Sequence, residues 1–567
     1  MGRTLADVLA ERAAERGDAP IYTFLGDGIN PTHEIGYAAM LVAATSLAGG
    51  LCAEGIEPGE RALLFAYDPI EFMKGFMACQ LAGVVAVPVA MPTTGGDGVA
   101  PLRAVAADCA ARAILADEAY AHEQLLAAAP EFARLAWLTP GDGVEAPAES
   151  ELAARRRRNA LALLQYTSGS TGDPKGVMVT HEALLSNLEA HRRVGQSGAD
   201  DVFVEWLPLF HDMGLIAAAA NALNVGARAI MLAPELFVMR PLRWLAAITR
   251  YRGTITHSPD FGYRHCVERS AAADREPLEL SSWRVAATGA EPVRTRTLDQ
   301  FTGAFAPYGF DERAWFAAYG LAECTVMATA PMRPMGGATR LAVDPEALRR
   351  GRVLVGGAHT LVACGSPQAT RSRIEIVDPG THAPAPPGRI GEIWIAGPSV
   401  CAGYWSAPEP TQATFAAALA GEPGTRFLRT GDLGFVCDDQ LYVTGRLKEI
   451  IVIAGRNHYP HDIEATVAAA HPAVAERHCV AFAVERDDAE QLVLVVGLRD
   501  SAINHAELVR TLRAAVSQNH GIVVADLLVV PRRAIARTTS GKLRRAALRE
   551  AYLAGKLTVQ GSAAPRE

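Results

Sequence analysis

From Gln165 to Asn187 the chain reads QYTSGSTGDPKGVMVTHEALLSN. Gly169 and Gly172 leave backbone N–H groups free to turn inward, Ser168, Ser170 and Thr171 add hydroxyl donors, and Lys175 adds a positive charge. Such a set suits a polyphosphate. The spacing is not that of a Walker A loop, which needs GxxxxGK followed by Ser or Thr; here Pro174 precedes Lys175 and Gly176 follows it. The flanks disagree too. A P-loop lysine opens a helix, whereas GVMV after Lys175 reads as a strand and Thr180 as the N-cap of the next helix. Read alone, the stretch leaves a ligand-free hydrophilic loop as the alternative. Far along the chain, TTSGKLRR sets Lys542 after Gly541. It is either part of a solvated basic face or a rotatable charge that reaches a phosphate when its segment closes.

These groups need rigid elements behind them. RALLFAY from Arg61, GVVAVPV from Gly83, LALLQYT from Leu161, RAIML from Arg228 and VAAT from Val285 are strand-like runs alternating with helical patterns. That alternation predicts α/β layers with largely parallel sheets. After about residue 373, RIEIVD and GEIWIAG alternate cleanly, as a small antiparallel unit with one wet face would. A turn signal at Thr444 to Arg446 suggests a boundary, giving domains 1–447 and 448–567. The second carries LVLVVGL, DLLVV and an amphipathic helix from Ala506, enough for a small α+β domain. The last ten residues, TVQGSAAPRE, read as frayed.

Composition narrows the partners. With 567 residues, half of them hydrophobic, the chain can bury more than one core. A net charge of -8 argues against nucleic-acid binding through an overall field, and Arg155 to Arg158, the one dense basic run, reads as a solvated linker. Nine scattered cysteines without a CxxC pair point to a reduced, cytoplasmic protein. The N-terminus has no secretion-signal pattern, and the most apolar stretch, from Cys79, is too short to span a bilayer, so no integral membrane association is expected.

Six stretches carry a resemblance: YTSGSTGDPKG, AYGLAECT from Ala318, GEIWIAGPSVCAGYW from Gly391, RTGDLG from Arg429, GRLKEIIVIAGRNHYPHDIE from Gly445, and TTSGKLRR from Thr538. In order, they resemble the core motifs of the acyl-adenylate-forming superfamily. WLPLFHDMGLI from Trp206, GAEPVR from Gly289 and GRNHYPHDIE are most similar to its fatty acyl-AMP ligases. The resemblance implies an adenylate-forming fold, ATP and Mg²⁺ as cofactors, and a fatty acid as substrate. It places Thr167 to Lys175 on the β- and γ-phosphates, and Glu323 with Thr171 on Mg²⁺. Asp432 is implied at the ribose with Arg446 near it, Gly289, Ala290, Glu291 and Pro292 along the adenine, and Tyr319 and Gly320 beside that base. Lys542 would bridge the carboxylate and the α-phosphate, and Lys448 would be the hinge. His211, Asp212 and Met213, with Phe261 and Gly262, would meet the acyl group. Asp432 as a turn aspartate and His211 as a core histidine are the plain alternatives. Asp260 departs from the pattern, an acidic residue beside the presumed acyl tunnel.

The acceptor separates members of this superfamily. The stretch at about 340–363, within PMRPMGGATRLAVDPEALRRGRVLVGGAHTLVACG, is longer than CoA ligases carry there and resembles the insertion of fatty acyl-AMP ligases. Its helix, with Leu348 as an apolar contact, is expected to dock across the domain boundary and hinder rotation toward CoA. The chain has no carrier-domain serine motif of its own, so an acyl carrier protein, or the carrier domain of a polyketide or nonribosomal synthase, acting in trans is the expected partner, in lipid or polyketide biosynthesis. A fatty acyl-CoA synthetase is the second reading, separated by thioester formation with CoA. A catalytically silent binding homologue is the third, separated by ATP–pyrophosphate exchange.

Overall fold

The near-continuous apolar runs become strands covered on both faces, as parallel sheets require. The structure, a computed structural model, describes the chain except residues 1, 93–97, 118, 140–143, 145–146, 168–173, 334–335, 476–477, 487–488, 499–502, 538–542 and 564–567. One sheet runs Ala136–Leu138, Ala113–Ala116, Arg61–Phe65, Val85–Pro88, Leu161–Thr167, Lys175–Thr180. Its strands are parallel apart from the last pair. A second sheet runs Trp315–Ala317, Val285–Thr288, Ile255–Ser258, Val202–Glu205, Arg228–Leu232, Pro20–Leu25, His33–Gly36, again antiparallel only at its last pair. Leu64, Ala86 and Leu163 of the first sheet share a buried core with Phe203, Ala229 and Met231 of the second, through helices such as Pro69–Ala82 and His181–Gly195.

Thr180 caps the helix that follows the second loop flank, its Oγ1 accepting from Ala183 N at 3.0 Å. The first helical residue, His181, has both ring nitrogens buried with no hydrogen-bond partner, and burial pushes its pKa down to about 4. An unfolded histidine titrates near 6.5, so protons favour the unfolded chain as pH falls through the window between those values. The stability contributed by the neutral ring is full above about pH 6.5 and is lost progressively toward pH 4. Urea unfolding followed against pH should show a midpoint that falls across this window, and His181→Leu should flatten the fall.

The alternating segments form a five-stranded antiparallel unit built on Gly391–Ala396 and the long strand Glu422–Cys437. The turn signal itself is strand. Thr444 to Arg446 stays in the strand Gln440–Arg446, paired through Asp432↔Arg446, and the chain turns in the 3₁₀ segment Leu447–Glu449. Beyond it, Cys479–Arg486, Ala489–Leu498 and Val524–Pro531 form a sheet with cores on both faces, one holding Ile463, Leu494 and Leu512, the other Val480, Val495 and Leu548.

Three expectations change. The C-terminal segment is not wholly frayed: Gly561–Ala563 pairs antiparallel with Leu527 to Val529, because that strand otherwise presents an open edge. Arg155 and Arg156 are not a solvated linker. Arg155 donates to Ala82 O, a carbonyl that a helix end leaves open, and to Ile56 O, and buried Arg156 pairs with Glu149. In the insertion, Arg340–Val343 pairs with His359–Val362, and Pro345–Arg349 is a short helix. Leu348 packs with Val343, Ala363, Phe435 and Tyr442 rather than across the boundary. The contacts that do cross are polar: Arg349 Nη2 donates to Asn519 O at 3.0 Å, and Glu346 pairs with Arg456 at 3.4 Å.

Candidate functional site

Parallel strands end together, so the residues that follow them share one rim of the sheet. Val285–Thr288 and Trp315–Ala317 are neighbours, and the segments Gly289 to Pro292 and Ala318 to Gly320 leave that rim side by side. A Cβ on Gly289 would lie 2.7 Å from Ala318 O, and one on Gly320 would lie 1.7 Å from Val326 O, so both positions need glycine. Ala290 adopts a left-handed φ of 64°, an unusual backbone conformation for alanine. Glu291 is turned toward the neighbouring helix, its carboxylate accepting from Phe261 N at 2.6 Å. Burial, and then the Asp260 carboxylate, raise its pKa.

Tyr319 reaches from this rim to the antiparallel unit. Its hydroxyl donates to Asp432 Oδ2 at 2.8 Å, while Arg446 Nε donates to Asp432 Oδ1 at 2.9 Å. Asp432 is only 6% exposed, and its own N–H donates to Thr430 Oγ1. Burial, and then the adjacent carboxylate, raise the Tyr319 pKa well above its ordinary value; the same carboxylate raises that of Arg446. Three residues distant in sequence thus form one fixed corner, with carboxylate lone pairs left for a further donor.

A second group lies around the Gly-rich loop. Thr167 and Lys175 face each other as the last pair of their strands, and residues 168–173, which include Ser168, Gly169, Ser170, Thr171 and Gly172, lie outside the described residues. Lys175 Nζ sits 5.2 Å from the centroid of the Tyr404 ring, a cation–π distance. The Tyr404 hydroxyl donates to Glu323 Oε1 at 2.8 Å. Burial, and next the Glu323 carboxylate, raise the tyrosine's pKa. Tyr404 was not singled out from the sequence, although GEIWIAGPSVCAGYW contains it. Its place depends on bridging to Val177, which only the fold shows. Glu323, reached through Tyr404 from Lys175, offers the hard carboxylate oxygens that Mg²⁺ takes, so this residue fits that ion.

Gln165, on the strand entering the loop, donates to Phe210 O at 3.0 Å and so fixes the next turn. There His211 Nδ1 lies 2.7 Å from Asp212 Oδ1, which also accepts from Met213 N at 2.7 Å. Gly214 is required because a Cβ would meet Pro208 O at 2.4 Å. Beside the turn opens a mainly apolar cavity with about 760 Å³ of empty space, part of it open to solvent, lined by residues including Phe72, Val89, Leu209, Phe210, Ala218 and Met231. Phe261 and Gly262 are not among its lining residues: the Phe261 ring stands edge-on to Trp206, and Gly262 packs on Ser258 and Trp206. Asp260 does not line the cavity either. It is buried, accepting from Arg294 N at 3.0 Å and Thr297 Oγ1 at 2.8 Å, an anchor between two helices. Lys448 is exposed in its 3₁₀ segment, and Lys542 lies outside the described residues.

A family model described as AMP-binding enzyme matches residues 9–405. The chain belongs to the AMP-binding enzyme family. Residues 448–562 of this AMP-binding enzyme also match a model described as the AMP domain of Disco-interacting protein 2-like proteins. It is 36% identical to the medium-chain-fatty-acid–[acyl-carrier-protein] ligase JamA of Moorena producens, over 98% of this chain and 96% of that one. It is 33% identical to the long-chain-fatty-acid–AMP ligase FadD26 of Mycobacterium marinum, over 97% of each. Among solved structures, one from a study of fatty acyl-adenylate ligases of E. coli and L. pneumophila superposes with a TM-score of 0.86 at 31% identity, covering 98% of both chains.

Proposed function

We propose that this enzyme is a fatty acyl-AMP ligase. It joins a fatty acid carboxylate to the α-phosphate of ATP, releases pyrophosphate, and passes the acyl group to the thiol of an acyl carrier protein acting in trans. The observation that carries the reading is the Tyr319–Asp432–Arg446 corner, which joins the rim carrying Gly289 to Pro292 to the antiparallel unit, while Gln165 ties the strand before the Gly-rich loop to the turn beside an apolar cavity. In this reading Asp432 accepts from the ribose hydroxyls and Gly289 to Pro292 flank the base with Tyr319 and Gly320. Thr167 to Lys175 hold the β- and γ-phosphates. Glu323 and Thr171 would hold Mg²⁺, which supplies charge neutralisation on the phosphates when bound. His211, Asp212 and Met213 meet the carboxylate end of the acyl chain. Domains 1–447 and 448–567 move about Lys448, so that Lys542 enters for adenylation and withdraws for transfer. The enzyme works in the cytoplasm.

The insertion would favour the carrier by holding the adenylating arrangement. Its crossing contacts, Arg349 to Asn519 and Glu346 to Arg456, are exposed to solvent, which screens them and leaves each a small contribution. They bias the domains rather than lock them. Mass spectrometry of reactions containing ATP, Mg²⁺ and fatty acids of graded length, followed by CoA or holo-carrier protein, tests the reading. Acyl-AMP and acylated carrier should form without acyl-CoA. Acyl-CoA appearing as fast as acyl-carrier would make the protein a CoA synthetase.

A further inference from the structure

Glu205 and His257 end up side by side because Val202–Glu205 and Ile255–Ser258 are parallel neighbours with Ile255 opposite Phe203. Two residues further along, both side chains point to the same inner face. His257 Nδ1 lies 2.8 Å from Glu205 Oε1, and His257 N donates to Glu205 Oε2 at 3.2 Å. Both are buried, at 4% and 6% exposure. The Phe203 ring stacks on His257 from one side and His191 stands edge-on at 6.3 Å.

Glu205 is also a wall of the apolar cavity. At its open end are Tyr67, Met91 and Glu235, all exposed; Glu205 lies among the buried residues Ala218, Ala219 and Ala229. A buried acid–base pair in such surroundings is expensive, and apolar residues of similar size would serve packing as well or better. A carboxylate has about four acceptor sites and His257 takes two of them, so Glu205, as a lining residue, can accept from a further donor placed in the cavity. Burial raises the Glu205 pKa and His257 opposes that rise.

Resting on the ligase reading, we infer that the cavity selects an acyl chain carrying a hydrogen-bond donor, a hydroxyl or an amine, which meets Glu205. Glu205 is then a specificity-determining residue and His257 its positioning partner. An unsubstituted chain would leave the buried carboxylate facing methylenes, and that mismatch is the source of discrimination.

Acyl-dependent ATP–pyrophosphate exchange with acids of one chain length, unsubstituted or bearing a hydroxyl or an amine at successive carbons, tests this. For at least one position of substitution, kcat/KM should exceed that of the plain acid by about 10- to 100-fold, as one hydrogen bond to a buried charge allows. Glu205→Met should bring the ratio close to one, and Glu205→Gln, which keeps an acceptor, should retain part of it. The wild-type panel decides the matter even if a variant fails to fold. A wild type that uses the plain acid as well as every substituted one overturns the inference and leaves the ligase reading standing. Exchange with no acid of either kind overturns both.

Discussion

Lys542→Ala should slow acyl-AMP formation by about 10² to 10³ while ATP still binds nearly as well, the loss typical of one electrostatic contact made to charge developing in the transition state. The carboxylate and the α-phosphate are both anions, and a compact ammonium bridging them acts most strongly when they meet. The described residues just beyond Lys542 are firmly held. Arg545, three residues on, donates through Nε to Ala481 O at 2.9 Å and through Nη2 to Glu464 Oε1 at 2.8 Å, and pairs with Glu449 beside Lys448. If Asp432 binds the ribose as proposed, Asp432→Asn should act differently, raising KM for ATP more than it lowers kcat, because such contacts would hold before and during the reaction alike. Single-turnover trapping of acyl-AMP with hydroxylamine separates the two. A Lys542→Ala enzyme adenylating within about threefold of wild type would remove the lysine from the reaction.

The sequence showed best what depends on near neighbours. Strand runs such as RAIML and VAAT became strands, and Thr180 caps its helix, because apolar patterning and capping are local. The Tyr319, Asp432 and Arg446 group could be named only through motif resemblance, since Tyr319 and Asp432 stand 113 residues apart. Tyr404 shows the limit of that route. Its motif was visible, yet its contact with Glu323 arises from a strand bridge that no spacing reveals. Glu205 and His257 lie 52 residues apart, and their pairing follows from sheet register, which no local pattern shows. Leu348 misled for a related reason: an apolar residue in a short helix signals burial but not against what, and the nearer core took it. Arg155 and Arg156 likewise looked solvated because their partners, backbone carbonyls and Glu149, carry no strong sequence signal.

Arg545→Met should destabilise the C-terminal domain by about 3–5 kcal/mol, because it leaves Glu464 as a buried carboxylate without its cation. Glu464 is 4% exposed and keeps only the bond from Ala481 N at 2.9 Å once the guanidinium is gone. Burial already raises its pKa, and Arg545 is the main influence opposing that rise. Tryptophan fluorescence would miss the change, since all seven tryptophans precede residue 448. Hydrogen exchange in the paired strands Cys479–Arg486 and Ala489–Leu498 would register it as lost protection, with strands such as Val85–Pro88 as an unaffected reference. Replacing both partners, Arg545→Met with Glu464→Leu, should recover much of the protection, because an apolar pair removes the orphaned charge. That double variant should still adenylate poorly. Arg545 also ties the lysine's segment to Glu449, and restoring stability does not restore that tie. If the double variant regains both protection and full adenylation, Arg545 serves the domain core alone and has no part in positioning Lys542.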